Sequence, residues 1–95
     1  MKRYSELLSE SINNSGLKLQ KITDLIFEKE NIRFSKEYIS RLKNGKIPPA
    51  GDKLNEALAF VLNIDPLKLK VAAYMEKIPP DVLDHLSIRE QKEVI

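Results

Sequence analysis

The sequence predicts an all-α protein: a compact five-helix body followed by one or two short extra helices at its C-terminal end. Three observations point there. Apolar residues recur at three- and four-residue spacing in segment after segment, which is the period of a helix with one buried face. No stretch alternates apolar and polar residues as a strand would. Helix stop and start signals (Gly16, Asn44-Gly45, Pro48-Pro49, Asp65-Pro66, Pro79-Pro80) divide the chain into short pieces.

The first helix carries Tyr4, Leu7, Leu8 and Ile12, with Gly16 placed as its C-terminal cap. The second is expected from about Lys18 to Glu30, with Leu19, Ile22, Leu25, Ile26 and Phe27 as its apolar positions. Glu30 to Phe34 reads as a turn. Ser35 is a suitable N-cap for a third, very short helix that buries Ile39 and Leu42 and ends at Asn44-Gly45. A loop from Lys46 to Gly51 follows, and Pro48-Pro49 blocks helical continuation through it. The fourth helix holds Leu54, Leu58, Ala59, Val61 and Leu62 and stops near Asn63. Asp65-Pro66, a capping acid followed by proline at the first helical position, starts a fifth with Leu67, Leu69, Val71, Ala72 and Met75. Pro79-Pro80 opens a short helix with Val82, Leu83 and Leu86, and Ser87-Ile88-Arg89-Glu90 fits a capping box for a last one. This divides the chain into a body over 1–78 and a helical extension over 79–95, read as a dimerisation element or as the start of a longer region.

Composition narrows the function classes. A chain of 95 residues supports one core and leaves little room for a deep enzymatic cleft. With no cysteine, disulfides, thiolate zinc sites and thiol nucleophiles are excluded. The single histidine, His85, excludes paired-His metal sites, the carboxylates are scattered, and no glycine-rich phosphate loop occurs. No enzyme activity, metal or cofactor is therefore expected. Residues 1–10 lack the apolar core of a signal peptide, and the longest uncharged apolar run, Ala57 to Ile64, is too short for a bilayer. A cytoplasmic protein is the expectation. The net charge of +2 hides an uneven distribution: residues 18–53 hold nine Lys/Arg against five Asp/Glu, whereas residues 54–95 hold five against seven. The basic middle suits a polyanionic partner, and it equally describes a solvated charged face.

The segment Ser35-Lys36-Glu37-Tyr38-Ile39-Ser40-Arg41-Leu42-Lys43-Asn44-Gly45-Lys46 resembles the recognition helix and following loop of the Xre family. These are the lambda-repressor-like helix-turn-helix regulators of bacteria and phages. Gly16-Leu17, Leu19 and Ile22 resemble the start of that family's second helix; Pro49, Leu54, Leu58-Ala59, Leu62 and Ile64 resemble its fourth. The likeness spans roughly residues 4–77. Two departures stand out. Lys18 and Leu19 replace the family's usual Ser/Thr cap and early Gln, and the link from Leu25 to Phe34 is longer than the family's tight turn. The resemblance implies a lambda-repressor-like helix-turn-helix fold and a sequence-specific regulator of transcription, a repressor above all. It also implies a double-stranded DNA partner and a location on the bacterial or phage nucleoid.

The residues themselves suit that chemistry. With Ile39 and Leu42 inward, Lys36, Glu37, Ser40 and Arg41 are the base-reading candidates on the outer side of the short helix. Arg41 can grip guanine O6 and N7 with two hydrogen bonds, and Lys36 can make a similar, less rigid contact. Glu37 either accepts from a cytosine amino group or pairs with Arg41 one turn away. Phosphate contacts are expected from Lys43, Asn44, the Gly45 amide and Lys46, from Ser35 at the cap, and from Lys18 and Gln20 at the start of the second helix. Arg33 and Lys53 are further phosphate candidates. Tyr38 either reaches a phosphate, as the resemblance implies, or simply packs.

One short recognition helix reads few base pairs, so a homodimer on an inverted repeat is expected. Tyr74, Met75, Ile78, Val82, Leu83 and Leu86 are the candidates for the self-contact, unless they complete the monomer's own core. The competing function is a protein-interaction module (an adaptor, antitoxin or antirepressor), since fold does not fix function.

Overall fold

The computed structural model describes residues 2–85. Five helices follow one another: α1 (Tyr4–Ser15), α2 (Leu19–Glu30), α3 (Lys36–Lys43), α4 (Asp52–Leu62) and α5 (Pro66–Met75). Residues 80–85 are helical as well, and no strand occurs among the described residues. Leu86 and the capping box at Ser87 lie outside them.

The helix boundaries follow the chemistry of their ends. Gly16 takes φ 69°, and its N–H donates to the Asn13 carbonyl, closing α1. Asn31 and Asn63, both with φ 56°, close α2 and α4 in the left-handed region that asparagine tolerates better than most side chains. Ser35 Oγ accepts from the Tyr38 N–H at 3.1 Å, and Asp65 Oδ1 accepts from the Leu67 N–H at 2.9 Å. Each satisfies an amide that the first helical turn leaves without a partner. At the end of α3, the Lys46 N–H donates to the Arg41 carbonyl and the Gly45 N–H to that of Leu42, with Gly45 at φ 70°. This pair of bonds is a Schellman closure, and it fixes the direction in which the chain leaves α3.

One core joins all five helices. Tyr4, Leu8 and Ile12 of α1 meet Ile22 and Ile26 of α2, Ile39 and Leu42 of α3, and Leu54, Ala57, Leu58 and Leu62 of α4. Leu69, Ala72 and Ala73 complete it from α5. α4 is central, packing on α1, α2 and α5, while α3 is held between α1 and α2. The buried polar groups are all accommodated. Ser11 and Thr23 return their hydroxyls to the carbonyls of Leu7 and Gln20. The Tyr4 hydroxyl donates to Asn55 Oδ1 at 2.6 Å, and Asn55 Nδ2 donates to the Ala50 carbonyl at 2.8 Å. Burial pushes the Tyr4 phenol well above its ordinary range, so it stays a neutral donor. The backbone of the same residue is held too: the Tyr4 N–H donates to Glu76 Oε2 at 3.0 Å, joining the first turn of α1 to the end of α5.

α5 departs from expectation in one respect. Leu67 and Val71, counted among its apolar positions, are 62% and 41% exposed. The helix is apolar nearly all round, and the side that turns inward is that of Leu69 with the small Ala72 and Ala73, which let it approach α4 closely.

Candidate nucleic-acid interface

The eight residues of α3 divide cleanly by face. Ile39 and Leu42 are 0% and 1% exposed and anchor the helix to the core. Lys36, Glu37 and Arg41 are exposed, and Ser40 is half-buried beside them. Among the described residues no ion pair joins Glu37 to Arg41; the ion pairs are Lys2–Glu10, Arg3–Glu76 and Lys70–Glu56. The first turn is braced in two ways: by the Ser35 cap, and by Tyr38, whose half-buried ring stacks on Phe34 at 5.4 Å between centroids.

The phosphate candidates occupy three places. Lys43 is half-buried at the end of α3, and Asn44, Gly45 and Lys46 are exposed just beyond it. The Asn44 amide turns back along its own helix, with Nδ2 donating to Ser40 Oγ at 3.4 Å. Gly45 sits against α1: a Cβ there would meet Ser5 Oγ at 3.4 Å, and its positive φ strains any larger residue. Lys18 and Gln20 are exposed at the start of α2, where Lys18 provides no side-chain cap. Gln20 Nε2 donates to Asp24 Oδ1 at 3.1 Å and Thr23 Oγ1 at 3.4 Å, so its donors are used within its own helix. Arg33 and Lys53 are exposed, in the α2–α3 link and the first turn of α4. The Arg33 guanidinium lies 4.3 Å above the Phe27 ring, a cation–π contact that holds it against the surface.

Sequence spacing did not single out the residues that position this region from behind. Asn55 is fully buried and ties the α3–α4 loop at Ala50 to Tyr4. Its signal was a polar residue set between Leu54 and Leu58 on an apolar stripe. Phe34 gave less warning, because a lone aromatic residue in a turn does not reveal what it stacks on.

The dimer candidates are spread over α5 and beyond. Tyr74 and Val82 are 51% and 45% exposed, whereas Met75, Ile78 and Leu83 are half-buried. The Tyr74 hydroxyl donates to Asp52 Oδ2 at 3.0 Å, and that bond pushes the phenol above its usual value. Leu67, Val71 and Tyr74 share one side of α5, one helical turn apart.

Compared with protein-family models, curated proteins and solved structures, the chain matches none. Its own residues therefore carry the functional argument. No described helix is long and apolar enough to cross a membrane, and no described group of His, Cys, Asp or Glu could hold a metal ion.

Proposed function

We propose that this chain is a sequence-specific, double-stranded DNA-binding regulator of transcription of the lambda-repressor-like, Xre type, acting as a repressor. In this reading α2 and α3 form the helix-turn-helix, and α3 enters the major groove. The observation that carries it is the division of α3. Two side chains seal it to the core, while Lys36 and Glu37 in its braced first turn, and Arg41 one turn on, stand exposed. A helix presented in this way, with its N-terminal residues outward, is what groove docking requires. Lys46 and the Gly45 amide, held by the Schellman closure, supply backbone anchors that position the protein without reading sequence.

Five or six phosphate contacts give a log–log slope of binding against salt of about −5. Lys46→Ala is expected to weaken binding to all duplexes alike and to reduce that slope by about 1. Arg41→Ala is expected to relax base preference instead. Titrations of wild type and both variants at several salt concentrations test this, and retention on DNA that ignores salt would overturn it.

The same reading includes a homodimer on half-sites about 34 Å apart. The exposed Leu67, Val71 and Tyr74 side of α5 supports it, since this apolar surface lies on a helix whose opposite side is already in the core. Sedimentation equilibrium is expected to show a concentration-dependent dimer, and Val71→Glu should shift it to monomer. A monomer mass at all concentrations would remove this part of the proposal.

A further inference from the structure

We infer that the duplex read by this chain carries G·C pairs, not A·T pairs, where the outward side of α3 meets it. The inference rests on the groove reading above and goes beyond it by naming the bases.

Reading adenine in the major groove takes an Asn or Gln amide that donates to N7 and accepts from the N6 amino group. The amide side chains among the candidates for this surface are Gln20 and Asn44, and neither is presented at the N-terminal half of α3. Both Gln20 donors are taken, by Asp24 and Thr23, and Asn44, with one donor on Ser40, is the C-cap of α3, at the end away from the N-terminal residues that read bases. Reading thymine takes an apolar group against its methyl. The exposed side of α3 offers none, because Ile39 and Leu42 are buried and the Tyr38 ring is stacked on Phe34.

Ser40 is half-buried, its hydroxyl accepts from Asn44, and a hydroxyl does not choose between the two kinds of pair. The exposed side chains of α3 are Lys36, Glu37 and Arg41, and each is matched to a G·C pair. Arg41 and Lys36 donate to guanine O6 and N7, two acceptors side by side. Glu37 is acceptor-only when ionised, and among the described residues it has no ion-pair partner to neutralise it. Such a group is repelled by phosphate and satisfied by the cytosine N4 amino group. Adenine suits it less well, because N7 beside the amino group is itself an acceptor. Glu37 and Arg41 stand one turn apart on α3, about 6 Å along its axis. We place them on neighbouring pairs, cytosine at one and guanine at the other.

Selection of bound duplexes from a random pool by the whole chain tests this. Wild type is expected to enrich G·C at two or more nearby positions of each half-site, with replacement by A·T at either one costing about tenfold or more in affinity. Glu37→Gln is expected to change the preferred base at one position from cytosine to adenine, and Glu37→Ala to flatten preference at that same position. Arg41→Ala should erase the guanine preference at a different one. Both side chains are exposed, so melting curves of the variants should overlay that of wild type. Enrichment of A·T at these positions, or a Glu37→Gln profile identical to wild type, would overturn the inference while leaving groove binding intact. A pool in which no sequence is enriched would overturn the groove reading itself, and the inference with it.

Discussion

Ile39→Ala is expected to destabilise the protein by about 2–5 kcal/mol, the usual cost of emptying a fully buried isoleucine site. For a domain of this size that lowers Tm by roughly 8 °C or more. The site matters beyond its own contacts. α3 has only eight residues, too few to be stable alone, and Ile39 and Leu42 are its only fully buried side chains. Removing one should loosen the helix before the rest of the body unfolds. Amide exchange over residues 36–43 is therefore expected to accelerate more than exchange in α4, and duplex affinity to fall even at temperatures where the body stays folded. Uniform acceleration across all helices would show that α3 does not depend on this grip.

Asn55→Ala is the second large effect. It leaves the Tyr4 hydroxyl and the Ala50 carbonyl buried without partners, at about 1–3 kcal/mol each. Against a total stability of about 5–15 kcal/mol, that is enough to leave the protein marginal. Tyr4→Phe removes one partner only and should cost about half as much. In Tyr4→Phe/Asn55→Ala the hydroxyl is no longer orphaned, so the double variant is expected to lose less than the sum of the two single losses. Chemical denaturation of the three variants measures this directly. Strict additivity would mean that the two side chains do not act as a unit.

The helical architecture was legible because its signals are local. Gly16, Ser35, Asn63 and Asp65-Pro66 each act within one turn, and each ends or starts a helix as its chemistry dictates. The inward positions of α3 were equally plain, since Ile39 and Leu42 are its only aliphatic residues. Orientation was harder where a helix offers apolar residues on every side. In α5 Leu69 with the two small alanines turns inward in place of Leu67 and Val71, because close backbone approach to α4 depends on size, which periodicity does not measure. The engaged amides of Gln20 and Asn44 were hidden for a different reason. A polar side chain near an interface looks available until its own helix is built around it.

The bond between the Tyr4 amide and the Glu76 carboxylate brings the two extremities of the helical body to one pole, and Gly45 lies against Ser5 at that same pole. Chain attached before residue 4 or after residue 76 thus departs beside the exit of α3. A tag, fusion or partner bound to either arm would crowd the proposed duplex.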